Sequence, residues 1–226
     1  MARFPRTEVL NRILDEALVP VFYHGDAEVT GRVIAACAAA GVTVFEFTNR
    51  GDHAIDVFKG IVQQCARQLP QVIVGAGSIA DEATAALFVA HGANFIVGPS
   101  FNERVARFCN RRKVAYLPGC VTPTEIATAE ESGVEIVKVF PCEAAGGPGF
   151  VKAILGPTPW TRVMATGIAD ASKEGIATWI RAGTCALGLG RELIRKECLD
   201  AKDYDAITRR ATELRGWINE ARAALA

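Results

Sequence analysis

The chain has 226 residues, 50% of them hydrophobic, and its 25 basic residues equal its 25 acidic ones in number. This length and composition suit one globular domain with a large core. Because the charges cancel, we expect neither a general nucleic-acid binder nor a protein that binds membrane surfaces. The first residues show no apolar signal region, and no apolar run approaches the length of a membrane span, so no membrane partner is expected.

The seven cysteines are scattered along the chain and include no C-x-x-C pair. An odd number without metal-ligand spacing is typical of reduced thiols in a cytoplasmic protein, and not of a disulfide framework or a zinc site. The histidines also lack partner spacing, so we expect no metal and no other cofactor. His24, which follows the first predicted strand, either contacts a substrate or lies in a solvated loop.

Predicted elements alternate regularly along the chain after a first helix over 7–17. Short apolar runs predict strands over 19–23, 42–47, 72–76, 94–97, 114–117, 135–140, 162–166 and 185–188. Helical patterns lie between them over 27–40, 54–69, 81–91, 103–111, 124–132 and 172–182, and a last amphipathic helix covers 204–226. The glycine-rich run 142–149 is predicted to be a loop, either covering bound substrate or simply lying on the surface.

Four of the predicted helices end at a glycine just before a strand, at Gly41, Gly92, Gly133 and Gly183. Glycine there supplies the left-handed residue that turns a helix back into a strand. Eight short βα units without a linker predict one domain over 1–226, an α/β fold of the (β/α)8 TIM-barrel type with an extra N-terminal helix. The alternative is a doubly wound open sheet, but its usual G-x-G-x-x-G turn is missing.

Lys138 lies inside the predicted strand over 135–140, on the same face as Ile136 and Phe140. Burying an ammonium group is unfavourable, so such a lysine tends to give up its proton. A neutral amine is a nucleophile for carbonyl groups, which indicates Schiff-base chemistry at Lys138. The alternative is a lysine that snorkels from the strand end or pairs with a carboxylate.

A barrel places its active site at the carboxyl ends of its strands, which selects the other candidates. Glu46 would be a second charge inside the barrel, and a carboxylate there can shuttle the protons of imine formation. Arg50, in the loop that follows, can bind a carboxylate through two hydrogen bonds. Gly77 would let the backbone approach a ligand closely, and Ser78 offers a hydroxyl. A structural Glu–Arg pair and a plain tight turn are the alternatives.

A family resemblance rests on five segments that occur in one order at fixed spacings. They are Val19-Pro20-Val21, Glu46-x-x-x-Arg50, Val74-Gly75-Ala76-Gly77, Pro118-Gly119 and Lys138-x-Phe140-Pro141. From about residue 19 to residue 193 the chain resembles the class I pyruvate aldolases of the 2-keto-3-deoxy-6-phosphogluconate (KDPG) and 4-hydroxy-2-oxoglutarate (KHG) aldolase family. The resemblance implies a (β/α)8 barrel, a homotrimer and a small 2-oxoacid substrate.

The resemblance also implies a role for each candidate residue. Lys138 would be the Schiff-base lysine, Glu46 the acid–base group and Arg50 the ligand of the pyruvyl carboxylate. Ser78 stands where better-known members have Thr, and it keeps the hydroxyl. Two more residues would line the pocket, Phe140 against the imine and Pro118 beside it.

The chain departs from the family where the relatives bind phosphate. Thr166-Gly167-Ile168 stands in place of Thr-Gly-Gly, and Arg191 follows Gly188-Leu189-Gly190 in place of a small hydroxyl residue. We expect Thr166, Gly167, Ile168, Gly188 and Arg191 to contact the far end of the substrate. A β-branched residue resists the positive φ that glycine allows, so Ile168 should restrict this loop. Arg191 either restores a donor or lies along the surface.

The sequence therefore predicts a class I aldolase, a carbon–carbon lyase that reversibly cleaves a 4-hydroxy-2-oxoacid to pyruvate and an aldehyde. Because the phosphate contacts are altered, non-phosphorylated 4-hydroxy-2-oxoglutarate should be handled comparably to the phosphorylated six-carbon acid. A phosphosugar isomerase or epimerase on the same barrel is the alternative enzyme. A non-catalytic barrel that binds a sugar acid is the alternative outside catalysis.

Overall fold

The structure is a computed structural model that describes residues 2–225. Its nine strands are β1 (Leu18–Phe22), β2 (Val44–Thr48), β3 (Ile73–Gly77), β4 (Phe95–Val97), β5 (Ala115–Leu117), β6 (Gly119–Cys120), β7 (Val137–Val139), β8 (Val163–Thr166) and β9 (Ala186–Leu189). All the pairings are parallel, and the order across the sheet is β5-β4-β3-β2-β1-β9-β8-β7-β6.

The two outermost strands in this order, β5 and β6, are halves of one barrel strand. Pro118 alone separates them, since proline has no N–H to donate to a sheet ladder. Its carbonyl still accepts a hydrogen bond from the Lys138 N–H at 2.8 Å. Because β5 pairs with β4 and β6 pairs with β7, the divided strand joins the two edges and closes the barrel. The predicted (β/α)8 barrel is confirmed, and the doubly wound alternative is wrong.

Ten helices are described within residues 2–225. They are α1 (Arg6–Glu16), α2 (Ala27–Ala39), α3 (Ala54–Gln68), α4 (Glu82–Ala90), α5 (Glu103–Arg112), α6 (Pro123–Glu131), α7 (Gly147–Leu155), α8 (Lys173–Arg181), α9 (Lys196–Asp200) and α10 (Tyr204–Ala223). The N-terminal helix is present as predicted. None of these helices is both long enough and apolar enough to cross a membrane.

One element differs from the sequence prediction in kind. The run 142–149 was predicted to be a loop, but α7 begins inside it, at Gly147. The helix begins with glycine and proline, so its first turn shows no helical repeat of apolar residues. Proline is nevertheless well tolerated in a first turn, because an N–H at that position has no partner within the helix. The short helix α9 was also not predicted.

Apolar side chains fill two layers, one inside the barrel and one between the strands and the surrounding helices. The inner layer holds Val19, Val44, Ile73, Phe95, Val97, Ala115, Leu117, Ile136, Met164 and Ala186. Helix α1 packs Val9, Leu10 and Ile13 against this layer. Glu16, at the end of α1, accepts hydrogen bonds from the N–H groups of Thr43 and Val44 at 2.7 and 3.2 Å. The amino-terminal end of the barrel is thus closed, and the carboxyl end remains open.

Candidate active site

Two charged side chains lie inside the barrel. Lys138 is in the middle of β7 and is 5% exposed, and Ile136 on the same face belongs to the inner apolar layer. Glu46 in β2 is fully buried. Lys138 Nζ lies 4.0 Å from Glu46 Oε1. Strand alternation therefore aims both groups inward, as the sequence predicted.

The Glu46 carboxylate has unused hydrogen-bonding capacity. Both of its oxygens are buried and have no hydrogen-bond partner within the described part of the chain. Buried polar atoms are normally paired, because leaving them unpaired is unfavourable. At 4.0 Å the Lys138 amine is beyond hydrogen-bond distance, so a water molecule or a substrate atom can bridge the two groups.

Gly77 provides the space that Glu46 occupies. A Cβ atom at position 77 would lie 1.9 Å from Glu46 Oε1, so the Glu46 carboxylate could not keep its position. In the ladder between β2 and β3, Thr48 is opposite Gly77 and Glu46 is opposite Gly75. We expected Gly77 to let the backbone approach a ligand; the structure shows that the close approach is made by the catalytic candidate itself.

Ser78, the first residue after β3, has a φ of 61°. Left-handed backbone is uncommon for a residue other than glycine, and such strain concentrates at functional sites. The side chain is partly buried at the carboxyl end of the barrel. Its hydroxyl is thus held on the same end of the barrel as the Lys138 amine.

The two predicted neighbours of Lys138 are both beside it. Its Nζ atom lies 4.7 Å from the centroid of the Phe140 ring. Pro118 is buried in the divided strand next to β7 and accepts the Lys138 backbone N–H. The aromatic face and the Glu46 carboxylate both attract a cation, whereas burial disfavours one. The sequence prediction considered the burial and a carboxylate partner, but not the aromatic face.

A cavity of about 340 Å³ opens at the carboxyl ends of the strands. It is lined by Val21, Phe22, Tyr23, Thr48, Arg50, Phe140, Thr166, Gly167, Gly188, Gly190, Arg191, Glu192 and Ile194. Arg50 is exposed and forms no salt bridge with any residue from 2 to 225. Its guanidinium is therefore available to an anionic ligand. A larger depression of about 550 Å³ lies on the outer surface along α5, and none of the predicted site residues lines it.

The structure corrects the reasoning about Ile168. Its side chain is 2% exposed and packs in the apolar layer outside the barrel, so it does not line the cavity. The positive φ of this loop, 92°, belongs to Gly167. The expected backbone strain at Ile168 is therefore wrong, and only the backbone of Ile168 can take part in binding.

Arg191 and Glu192 form a pair at the rim of the cavity. Arg191 Nε donates a hydrogen bond to Glu192 Oε1 at 2.7 Å. The Arg191 side chain is largely exposed, whereas that of Glu192 is only 15% exposed. Sequence reasoning missed Glu192, because a charged residue beside an arginine is commonplace and only the local turn brings the groups together. It also missed Thr48, although strand alternation from Glu46 would have found it.

A closed (β/α)8 barrel with a buried lysine and carboxylate at its open end is the architecture of a barrel aldolase. The chain matches the family model "KDPG and KHG aldolase" over residues 9–210. It is 31% identical over 196 residues to the KHG/KDPG aldolase of Escherichia coli strain K12, covering 87% of this chain and 89% of that relative. It therefore belongs to the KDPG and KHG aldolase family, as the sequence motifs predicted.

Further similarities agree with this assignment. The chain is 33% identical over 201 residues to the 2-dehydro-3-deoxy-phosphogluconate aldolase of Treponema pallidum, covering 89% and 91% of the two chains. A structure of KDPG aldolase from Legionella pneumophila, with pyruvate captured as a covalent carbinolamine, superposes with a TM-score of 0.81 at 23% identity, covering 90% of this chain and 97% of that one. At that identity the structural likeness shows the fold.

Proposed function

We propose that this protein is a class I aldolase that reversibly cleaves a 4-hydroxy-2-oxoacid to pyruvate and an aldehyde through an imine on Lys138. The observation that carries the proposal is the buried Lys138 amine, 4.0 Å from a Glu46 carboxylate that has no hydrogen-bond partner among residues 2–225. Imine chemistry needs a nucleophilic amine and a group that moves protons beside it. Relatives named KHG/KDPG aldolase support the same assignment.

In the cleavage direction, Glu46 first accepts a proton from the Lys138 ammonium group, directly or through a bridging water, and the neutral amine attacks the C2 ketone to give a carbinolamine. Glu46 then donates that proton to the departing hydroxyl, so that water leaves, the iminium forms and Glu46 is again a carboxylate. The same carboxylate then accepts the proton of the C4 hydroxyl as the C3–C4 bond breaks. The electron pair of that bond moves to the iminium as an enamine, and the aldehyde departs. Protonation at C3 and hydrolysis release pyruvate and the free amine.

Three side chains would hold the substrate in place for these steps. Arg50, which has no ion-pair partner within residues 2–225, would bind the carboxylate next to the ketone. The Ser78 hydroxyl would support the same carboxylate from the end of β3, and the Phe140 ring would pack against the imine. Fixed orientation of the reacting groups accounts for a large share of the rate in such reactions.

The assembly we propose is a homotrimer in the cytoplasm. The family resemblance supports the trimer, and a designed cage made by fusing symmetric oligomeric domains shares this fold with a TM-score of 0.77 at 23% identity. The scattered free cysteines support a reducing compartment. Light scattering should give a mass near three times 24.1 kDa, and a monomer mass at micromolar concentration would contradict the trimer.

Covalent trapping tests the imine. Wild-type protein incubated with pyruvate and borohydride should gain one reduced three-carbon adduct, located on Lys138 by peptide mass spectrometry. Lys152→Arg, which changes an exposed lysine of α7, should label normally and serves as the control. Absence of the adduct, or its presence on Lys113 or Lys152 instead, would contradict the mechanism. An isomerase on the same barrel needs no amine nucleophile and would give no adduct.

A further inference from the structure

We propose that Glu192 determines substrate specificity by pairing with Arg191, so that the far end of the cavity is a neutral, hydroxyl-rich subsite. This aldolase would then prefer 2-oxo-3-deoxy acids whose tail is uncharged and hydroxylated over acids with a terminal phosphate. The proposal rests on the proposed aldolase function and names the substrate class of the same site.

The first observation is the charge arrangement at the rim. The Arg191 guanidinium donates to the Glu192 carboxylate at 2.7 Å, so its charge is already compensated. The nearby Arg210 does not alter this balance: it pairs with Glu213, and its Nε donates to the backbone carbonyl of Glu192 at 3.2 Å. A phosphate entering the cavity would have to compete with the Glu192 carboxylate for the Arg191 guanidinium instead of meeting a free cation.

The second observation concerns the backbone after β9. The N–H groups of Leu193 and Ile194 both donate to the carbonyl of Gly190, at 3.0 and 2.8 Å. The chain thus forms a single turn there, and the next helix, α9, starts only at Lys196 and has 5 residues. The segment directly after β9 therefore offers a single turn, and not the amino terminus of a long helix whose field would favour a phosphate there.

The third observation is a buried hydroxyl that has no partner. Thr166 is 7% exposed, and its Oγ1 atom has no hydrogen-bond partner among residues 2–225. It lines the cavity together with Thr48 and Tyr23. Gly188 leaves the space beside it open, because a Cβ atom there would lie 2.4 Å from Thr166 Oγ1. A buried hydroxyl of this kind gains a hydrogen bond when a ligand hydroxyl arrives, but as a neutral group it cannot compensate the charge of a phosphate.

The test compares kcat/KM for two substrates that differ in one group: the six-carbon 2-oxo-3-deoxy acid with and without its terminal phosphate. Wild-type protein should prefer the non-phosphorylated acid. Glu192→Gln removes the carboxylate that pairs with Arg191, so Arg191 becomes free to bind phosphate. The ratio of kcat/KM for the two acids should then shift toward the phosphorylated acid by roughly 10- to 100-fold, which is the effect of one charge-assisted hydrogen bond. Glu197→Gln removes the same charge from an exposed position in α9 and should leave the ratio unchanged.

Two outcomes would overturn the subsite: a wild-type preference for the phosphorylated acid, or a ratio that moves less than about threefold in Glu192→Gln. The wild-type ratio decides the question even if the variant does not fold. Pyruvate has no tail, so the borohydride adduct on Lys138 is independent of this subsite. An adduct together with a phosphate preference would reject the subsite and keep the aldolase, whereas no adduct would reject the aldolase itself.

Discussion

At the scale of single residues, the site concentrates features that are unfavourable in isolation. Glu46 is fully buried, and neither of its oxygens has a hydrogen-bond partner among residues 2–225; Ser78 has a left-handed backbone conformation. Bound substrate or water would satisfy the Glu46 oxygens, whereas the backbone of Ser78 is strain of the kind that concentrates at functional sites. The surrounding barrel supplies the stability that this arrangement requires.

Replacing Glu46 by Gln should separate proton transfer from packing. The amide keeps the shape of the carboxylate but cannot accept and return protons, so turnover should fall by roughly 10²–10⁴. Exchange of the pyruvate methyl protons with deuterated water, followed by NMR, should slow as well. Exchange at the wild-type rate would show that Glu46 is only a structural partner of Lys138.

A methyl group at Gly77 should disable the site without touching substrate. Its Cβ would lie 1.9 Å from Glu46 Oε1 and would displace the carboxylate, so we expect Gly77→Ala to lower kcat by about 10²-fold or more. The matched control is Gly216→Ala in α10, where a Cβ meets nothing within 4 Å. That change should keep full activity and stabilise the helix by up to about 1 kcal/mol. Equal kcat in the Gly77→Ala variant would refute the steric role.

At the scale of elements, helix α1 and the divided strand lie at opposite ends of the barrel's division of labour: α1 closes the amino-terminal end, and the break in the divided strand lies beside the site. Val9, Leu10 and Ile13 of α1 fill the amino-terminal end, and Glu16 fastens the helix to the start of β2. The break at Pro118 lies beside Lys138 on the neighbouring strand. One end of the barrel is therefore devoted to packing and the other to chemistry, which is the usual division in this fold.

This division predicts that α1 affects stability and not turnover. Ile13 is completely buried, so Ile13→Ala should reduce the free energy of unfolding by about 2–5 kcal/mol through the cavity it leaves. Urea denaturation measures the loss, and kcat at 25 °C should stay at the wild-type value. Asn11→Ala, at an exposed position of the same helix, should leave kcat unchanged and raise the free energy of unfolding by at most about 0.7 kcal/mol, because alanine is the better helix former. A fall in kcat with unchanged stability for Ile13→Ala would contradict this division.

At the scale of the whole molecule, the folded chain protects its thiols. Burial raises the pKa of Cys37, Cys109, Cys120, Cys142 and Cys185 to about 12, and burial raises that of Cys65 to about 11. Only the thiolate reacts with alkylating agents, and a raised pKa means that less thiolate is present at a given pH.

Native protein at pH 8 should therefore react slowly with iodoacetamide at these six positions, by about 10²-fold at Cys65 and about 10³-fold at the other five relative to an ordinary thiol. The first label is expected on the partly exposed Cys198. In urea the pKa values return to their ordinary range, and all seven cysteines should label rapidly. Rapid native labelling of Cys120 or Cys142 by mass spectrometry would show that their burial is transient.

The sequence by itself determined the strand and helix order, the barrel, the family and the inward direction of Lys138 and Glu46. These features follow from local rules: side chains alternate along a strand, glycine ends a helix, and parallel strands bring their carboxyl ends together. These rules did not predict helix α7, because the glycine and proline residues at its start show no helical repeat of apolar residues.

Only the tertiary structure decided which groups meet across strands and turns. The fit of Glu46 against Gly77, the burial of Ile168 outside the barrel and the pairing of Arg191 with Glu192 depend on how separate segments pack to within an ångström or two. Sequence patterns specify the face on which a side chain lies but not its distance to a partner, because that distance is set jointly by all the neighbours in a close-packed interior.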